Sequence, residues 1–259
     1  MTEVITSKSN EKLKLVRKLQ QRRHREREGL FVTEGEDLLA AGLAAGAEPV
    51  VLLTLQGEGL GGEEVAAEVL ASASALGSGT RAIAVWPQVW AAVTGPVCVY
   101  LHGIADPGNV GTIVRSAHGL VRGTVVVGPD CADPFGPKAV RATMGSIFAQ
   151  PLARAGIEDT PPPRIALTAH GGRPIDDMAP LSEYVRQTRH PAGSDPLPTQ
   201  SNSVTLCLGA ERSGLPSDVL ANCDDRVTIP LRPDGAESLN VAAAAAIALG
   251  RISSGASGG

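Results

Sequence analysis

The sequence predicts a two-domain α/β protein, and three observations support this fold class. Apolar strand-like runs alternate with helix-like segments along most of the 259 residues. The runs in the C-terminal part, such as residues 97–101 and 204–208, are continuously apolar, which is typical of a parallel sheet covered on both faces. A Thr-Gly-Pro sequence at residues 94–96 marks a junction, so we place one domain at residues 1–95 and the other at residues 96–252.

Composition argues against several classes of protein. Hydrophobic residues make up 43% and charged residues 19% of the chain, which is ordinary for a protein with a well-packed core. The sequence shows neither an apolar run of 18 residues nor a signal peptide, so we expect a cytoplasmic protein without a membrane span. Aromatic residues make up 3%, so base stacking cannot be a main binding mode. The four cysteines lack CxxC spacing, so we expect neither a metal site nor disulfides.

The first helix-forming stretch, residues 8–27, carries a nearly one-signed run of positive charge in a chain whose formal net charge is −4. Such a run is either a solvated helix face or a surface that binds nucleic-acid phosphates. The contrast with the acidic remainder of the chain supports phosphate binding as a real alternative. The candidate side chains for this contact are Lys12, Arg17, Arg22, Arg23 and Arg25.

The remainder of the N-terminal domain is predicted to be a small α/β unit. We expect strands at residues 30–33, 50–55 and 81–86, and helices at residues 35–47 and 63–76.

A glycine-rich stretch in this domain, Gly57–Gly62, matches the GxGxxG pattern of dinucleotide-binding loops. That fingerprint also requires an acidic residue at the end of the next strand, to hold a ribose. The next strand ends in Ala84-Val85-Trp86-Pro87 and has no acid. We therefore predict a flexible glycine loop and disfavour a nucleotide-dependent oxidoreductase.

The second alternating series begins at residue 97. We expect a short helix in the junction at residues 87–96, a surface loop at residues 187–203 and an unstructured tail at residues 253–259. Strands are predicted at residues 97–101, 123–128, 164–168, 204–208 and 227–229, and helices at residues 109–119, 136–148 and from 241 onward.

Two blocks in this series place polar side chains directly after predicted strands. In the first block, residues 106–117, Asn109 and Arg115 lie six positions apart, and we expect them to point in nearly the same direction from one helix. Arg115 is either a buried arginine paired with a carboxylate or a contact for phosphate or substrate. In the second block, residues 206–216, Glu211 is either a helix cap or a site residue.

The third block, residues 229–251, runs from a strand end through a Pro/Gly/Asp turn into Ser238-Leu239-Asn240 and an alanine-rich helix. Ser238 or Asn240 alone would suffice as the cap of that helix. Two polar side chains after a shaped loop favour a ligand cradle, because a strand end and a helix start form such cradles in open α/β folds.

The three blocks in this order resemble the SpoU/TrmH-type RNA ribose 2′-O-methyltransferases of the SPOUT superfamily. The resemblance rests on DPGNVGTIVRSA, LGAERSGL and IPLRPDGAESLNVAAAAAIAL, and covers residues 97–251. The stretch REREGLFVTEGEDLLAAGLAAGA is similar to the ribosomal-protein-like RNA-binding domain that many members carry in front. The resemblance implies a parallel-sheet SPOUT domain with a deep trefoil knot, preceded by a small α/β RNA-binding domain.

The resemblance also implies roles for individual residues. S-adenosylmethionine is expected to bind in the knot, and Arg115 is expected to position the ribose hydroxyl with an RNA phosphate and stabilise the developing oxyanion. Arginine is too basic to serve readily as a general base. The implied cofactor contacts are Gly209, Ile229, Leu239, Leu208, Thr168 and Leu231. The implied catalytic residues are Arg115, Asn109, Glu211, Ser238 and Asn240.

Substrate and assembly follow from the same resemblance. We expect ribosomal RNA as the substrate, transfer RNA as the second choice, and a homodimer formed through the C-terminal domain, without metal. Arg115 then acts either in its own subunit or across the dimer. The alternative from another class is a non-catalytic RNA-binding relative, which has no need to retain these polar residues together.

Overall fold

A computed structural model describes residues 4–75, 79–178 and 203–254. The strands are β1 (Leu30–Glu34), β2 (Val51–Leu55), β3 (Glu63–Val65), β4 (Ala82–Pro87), β5 (Val97–Leu101), β6 (Val125–Val127), β7 (Leu152–Arg154), β8 (Arg164–Leu167), β9 (Arg173–Pro174), β10 (Val204–Leu208) and β11 (Asp225–Thr228). The α-helices are α1 (Glu11–Leu19), α2 (Arg22–Glu28), α3 (Glu36–Ala44), α4 (Ala67–Ala71), α5 (Pro107–Leu120), α6 (Pro137–Thr143), α7 (Ser217–Ala221) and α8 (Val241–Ser254).

The chain forms two compact units that do not follow a single boundary. The first unit contains residues 1–89 together with residues 133–149, and the second contains residues 90–132 and 150–259. The predicted division after residue 95 therefore differs from the structure in one main respect. The segment 133–149, which the sequence analysis assigns to the C-terminal domain, belongs to the first unit.

The N-terminal basic stretch forms two helices where one was predicted. α1 begins after Asn10, whose side-chain oxygen accepts a hydrogen bond from the Lys12 amide at 2.9 Å. α2 ends at Gly29, which adopts φ +65°, a conformation that glycine allows without strain. Leu13, Val16 and Leu19 are fully buried and attach α1 to the core of the first unit.

The sheet of the first unit has the order β1-β4-β2-β3. β4 pairs antiparallel with β1 and β2, whereas β3 pairs parallel with β2. The predicted helix at residues 63–76 is wrong at its start, because Glu63–Val65 joins the sheet as β3 before α4 begins. The glycine stretch therefore connects two strands. A dinucleotide-binding loop would instead have to lead into a helix.

The returning segment completes the core of the first unit. Phe135 packs against Phe31, with ring centroids 5.0 Å apart, and Phe148 packs against Trp86 at 4.8 Å. The predicted helix at residues 136–148 is interrupted, because Met144 adopts φ +49° and Gly145 adopts φ +90° between α6 and a short 3₁₀ helix.

A buried ion pair ties the returning segment to α2. The guanidinium of Arg25 contacts Asp133 Oδ2 at 2.7 Å, and the side chains of Arg25 and Asp133 are 5% and 6% exposed. Its Nη1 atom also donates to the carbonyls of Leu19 and Gln20 at 2.7 and 2.9 Å. The prediction that Arg25 contacts RNA is therefore wrong, because its charge is neutralised and its donors are used inside the protein.

The sheet of the second unit is entirely parallel in its described strands, with the order β7-β6-β5-β10-β8-β11-β9. The fully buried strands β5 and β10 lie next to each other, with Val204 opposite Val97, so the predicted parallel sheet is confirmed. β7, β9 and α7 were not predicted from the sequence. The helix predicted at residues 87–96 does not form.

Two sequence predictions lie partly outside the described residues. The predicted loop at 187–203 is outside them except for Ser203, and the predicted tail is outside them from residue 255 onward. α8 continues to Ser254, so the tail does not begin at residue 253. The trefoil knot stays a prediction, because residues 179–202 connect β9 to β10 and are not described.

Two kinds of site are absent from the described residues. No helix in this part of the chain is long and apolar enough to cross a membrane. The same residues contain no group of three or more His, Cys, Asp or Glu side chains that could hold a metal ion.

Replacing Arg25 by alanine should strongly destabilise the protein. The Asp133 carboxylate would stay buried without its partner, and breaking such a pair typically costs about 3–5 kcal/mol. The matched control is Arg27→Ala, whose ion pair with Glu28 is exposed and should contribute no more than about 1 kcal/mol. Urea denaturation of both variants measures the difference, and similar losses would contradict the assigned role of Arg25.

Candidate active site

A cavity of about 480 Å³ opens at the carboxyl ends of β8, β10 and β11. Its walls are the loops that follow these strands and the first residues of α8. In open parallel sheets ligands bind outside the carboxyl ends of the strands, and this volume is within the range of small-molecule sites.

The structure brings together the residues that the resemblance assigns to the cofactor. Leu208 and Gly209 end β10, Thr168 follows β8, and the remaining three follow β11 or precede α8. The residues from this set that line the cavity are Leu208, Gly209, Thr168, Ile229, Leu231 and Leu239.

More than half of the residues that line the cavity were not predicted from the sequence. The signal in the sequence that could have identified them is their position at a strand end, because most of these residues directly follow β8 or β10. The missed lining residues are Leu167, Ala169, His170, Ala210, Arg212, Ser213, Gly214, Leu215, Leu220, Thr228, Glu237, Val241 and Ala244.

The loop after β10 closes tightly on itself. Ala210 and Gly214 exchange backbone hydrogen bonds of 3.2 and 2.9 Å, and Gly214 adopts φ +66°. A Cβ atom on Gly209 would lie 2.3 Å from the carbonyl carbon of Gly214, so only glycine fits at this position. The closure holds Glu211, Arg212 and Ser213 on the cavity wall.

The cavity combines apolar and charged surface. Leu231 and Leu239 are each 37% exposed, which is unusual for leucine and leaves apolar area open to a ligand. The carboxylates of Glu211 and Glu237, the guanidinium of Arg212 and the hydroxyl of Ser238 line the same space. Because the two carboxylates outnumber the guanidinium, a cationic ligand with an apolar part matches this wall.

A chain of hydrogen bonds joins the three sequence blocks beside the cavity. Asn240 donates from Nδ2 to Asn109 Oδ1 at 3.0 Å, and Asn109 donates from Nδ2 to Glu211 Oε1 at 2.7 Å. These residues belong to the start of α8, the first turn of α5 and the loop after β10. Asn109 is thus joined to Glu211, 102 positions away, and to Asn240, 131 positions away, and the resemblance places all three residues in one site.

The cap of α8 sets the direction of this chain. Asn240 Oδ1 accepts hydrogen bonds from the amides of Ala242 and Ala243 at 2.9 and 3.3 Å. The amide nitrogen of Asn240 must therefore face Asn109, which in turn must present its own nitrogen to Glu211. The Glu211 oxygen at the end of the chain acts as an acceptor.

Arg115 does not take part in this chain. It is exposed on α5, and within the described residues it makes no hydrogen bond or ion pair. A buried arginine paired with a carboxylate is therefore excluded. The expected alignment with Asn109 is also wrong, because six residues at 100° each leave the two side chains about 120° apart around the helix.

The helices that carry these residues pack closely on each other. α5 buries Val110, Ile113 and Val114, and α8 buries Ala245 and Ala248 in its contact region. The alanines allow the backbones to approach, which keeps the first turn of α5 within reach of Asn240.

Two groups behind the cavity, the thiol of Cys207 and the phenol of Tyr100, are held in their protonated forms. A hydrogen bond with Cys223 and burial together raise the pKa of Cys207, and its hydrogen bond with Cys207 lowers the pKa of Cys223. Burial raises the pKa of Tyr100 to about 12, so its hydroxyl stays protonated at neutral pH. These groups belong to an apolar cluster with Leu215 and Val219, which supports the cavity from behind.

Fold and site together define an α/β protein with a ligand cavity at the carboxyl edge of a parallel sheet. The sequence model of the SpoU rRNA Methylase family matches residues 96–250. The chain therefore belongs to this family, and the resemblance drawn from the three blocks is confirmed. The model of the MRM3-like substrate binding domain matches residues 10–95.

Individual relatives resemble the chain to different extents. It is 37% identical over 168 residues to an uncharacterized tRNA/rRNA methyltransferase of Mycobacterium tuberculosis, a match that covers 62% of this chain and 54% of the relative. The matched part is thus about half the length of that relative. The chain is 28% identical over 268 residues to the 23S rRNA (guanosine(2553)-2′-O)-methyltransferase RlmP of Bacillus subtilis, covering 94% of this chain and 96% of RlmP.

A solved structure confirms the fold over nearly the whole chain. The AdoMet-bound rRNA methyltransferase from Sinorhizobium meliloti is similar with a TM-score of 0.78 and 27% identity. The similarity covers 96% of this chain and 97% of that protein.

Two substitutions of Asn240 should separate its cap from its side-chain donor. Asn240→Asp keeps an oxygen that caps α8, so the free energy of unfolding should stay close to wild type, whereas Asn240→Ala should cost about 1 kcal/mol. In a crystal structure of Asn240→Asp, the Asn109–Glu211 hydrogen bond should be broken, because Asn109 must turn its nitrogen toward the new carboxylate. Urea denaturation compares the two, and equal destabilisation would show that the cap is not the main contribution.

Proposed function

We propose that the protein is an S-adenosylmethionine-dependent methyltransferase that modifies a ribose 2′-hydroxyl of ribosomal RNA in the cytoplasm. The observation that carries the proposal is the hydrogen-bond chain Asn240–Asn109–Glu211 on the wall of a cavity of about 480 Å³. Family membership and the near full-length match to RlmP support the reaction and the substrate class.

The cavity fits S-adenosylmethionine by its chemistry. Leu208, Leu215 and Leu239 provide apolar surface for an adenine, and the backbone around Gly209 and Ile229 provides hydrogen-bonding groups. Glu211 and Glu237 supply negative charge on the same wall, which suits a sulfonium ligand. When bound, the cofactor supplies an electrophilic methyl group for an in-line displacement.

The acceptor side of the reaction falls to the residues at the mouth of the cavity. Asn109 and Asn240 hold the Glu211 carboxylate in one orientation, and Ser238 contributes a hydroxyl on the same wall. We assign to this group the alignment of the ribose hydroxyl, since alignment supplies much of the rate of a displacement. A protein that only bound RNA would have no use for this arrangement.

We assign to Arg115 the stabilisation of the negative charge that develops on the ribose oxygen. Its guanidinium is exposed and unused by the described part of its own subunit, so it is available to an RNA phosphate and to the oxyanion. Its direction, about 120° from Asn109 around α5, supports action at the cavity of a second subunit rather than at its own.

The exposed sides of α5 and α8 are suited to contact with a second copy of the chain. Ile247 on α8 is 42% exposed, and Leu120 at the end of α5 is 39% exposed. Ala243 on α8 is also exposed, and small side chains permit close helix packing. We assign the homodimer contact to this surface.

We assign RNA binding to the first unit, where fewer basic side chains are available than the sequence predicted. Arg25 is buried, Lys12 is paired with Glu63, and Arg22 is paired with Glu26. Arg17 donates to the Lys8 carbonyl at 2.8 Å. Arg23 is exposed and makes no ion pair within the described residues, so it is the predicted cation that fits RNA best.

The proposed activity is tested by methyl transfer from labelled S-adenosylmethionine to ribosomal RNA, with transfer RNA as the second substrate. Arg115→Ala should lower the rate by about 100-fold or more, because removal of one oxyanion donor has an effect of that size. Calorimetry should show an unchanged cofactor affinity, since Arg115 does not line the cavity.

The matched control for this variant is Arg122→Ala, an exposed cation just beyond α5. Its methyl transfer should be close to wild type. A protein that binds no S-adenosylmethionine would contradict the proposed function, and full activity of Arg115→Ala would contradict the role of that residue.

Ile247→Glu should convert the proposed dimer into a monomer. A charge placed in an apolar helix contact cannot be solvated there, whereas it is tolerated on an exposed surface. Light scattering after gel filtration measures the mass, and Leu43→Glu, at an exposed leucine of the first unit, is the control. A monomeric wild-type protein, or a dimeric Ile247→Glu variant, would rule out this contact.

A further inference from the structure

His24 on α2 is the centre of a cluster of positive charge. Its ring atom Nδ1 is inaccessible to solvent and has no hydrogen-bond partner within the described residues. Within the described part of the chain, no hydrogen bond at this atom therefore fixes the protonation state of the imidazole. Burial and the surrounding charges decide it instead.

The cations around His24 come from both helices of the N-terminal pair. Arg23 precedes it and Arg27 lies one turn further along α2, where residues three and four apart are neighbours. Lys18 approaches from α1. Burial lowers the pKa of His24, the charges of Arg23, Arg27 and Lys18 lower it further, and the carboxylate of Glu28 opposes them.

Part of this positive charge is uncompensated. Arg27 is paired with Glu28 at 2.7 Å, so these two charges cancel. Lys18 and Arg23 are exposed, and neither forms an ion pair within the part of the chain that is described. Among the described residues, Lys18 and Arg23 thus remain two cations without ion-pair partners beside a neutral imidazole, an arrangement whose mutual repulsion an anion would reduce.

We propose that Lys18, Arg23 and His24 form a binding site for a phosphate of the substrate RNA, and that His24 takes up a proton when the phosphate binds. The inference rests on the proposed RNA-modifying function. A phosphate offsets the repulsion among the three groups, and protonation of His24 adds a third positive charge to those of Lys18 and Arg23.

Proton uptake makes RNA affinity depend on pH with a defined sign. The bound phosphate raises the pKa of His24 from its lowered value in the free protein. Binding is therefore strongest below the free-state pKa and weakens as pH rises through the pKa of the complex. Each unit of difference between the two pKa values changes the affinity about tenfold between the low-pH and high-pH limits.

Nuclear magnetic resonance can follow this proton directly. The Cε1–H signals of the full-length protein are titrated with pH, free and in complex with an RNA hairpin of about 20 nucleotides. The signal that disappears in His24→Gln belongs to His24. We expect its pKa to be higher in the complex, and an unchanged or lower pKa would overturn the proposal.

Binding measurements provide the second readout. The affinity of the wild type for the hairpin should fall several-fold between about pH 5.5 and about pH 8, and this dependence should be lost in His24→Gln and kept in His118→Gln. Lys18→Gln combined with Arg23→Gln should lower affinity and reduce the slope of log affinity against log salt by about 2. Arg81→Gln, whose charge is already paired with Glu36 and Glu58, is the matched control and should change neither.

The outcomes for the site and for the enzyme are separable. Equal pH dependence in the wild type and His24→Gln overturns the phosphate site even if methyl transfer is normal. A wild type that binds the hairpin with the expected pH dependence but transfers no methyl group supports the site and contradicts the proposed activity.

Discussion

The site depends on the hydrogen bonds made by the side-chain amide of Asn240. Its oxygen caps α8, so its nitrogen can only point toward Asn109. The order of donors and acceptors beside the cavity thus follows from the need to satisfy the first amides of a helix. A requirement of local folding and a requirement of the site are met by the same side chain, the first by its oxygen and the second by its nitrogen.

The sequence predicted the cavity better than it predicted the charges around it. β10 has the predicted bounds, and all six residues assigned to the cofactor line one cavity, because strand ends in a parallel sheet meet at one edge. The fate of Arg25 could not be predicted, since its partner Asp133 lies 108 positions away in a segment assigned to the other domain. A run of cations gives no indication of which members will find a carboxylate.

The local errors have physical causes as well. Residues 63–76 have the composition of a helix, yet the edge of β2 recruits their first three residues into the sheet, because pairing outweighs weak propensity. The junction between α1 and α2 contains neither glycine nor proline, so the sequence did not mark it. The knot stays a prediction from the resemblance.

The insertion of residues 133–149 into the first unit has a consequence for biosynthesis and for protein engineering. A ribosome must release the chain through residue 149 before Phe135 and Phe148 can cover Phe31 and Trp86. Until then the amino-terminal part is an incomplete core that exposes aromatic surface. A fusion protein that borrowed only residues 1–95 as a targeting module would carry the same defect permanently, with the Arg25 charge buried opposite an absent carboxylate.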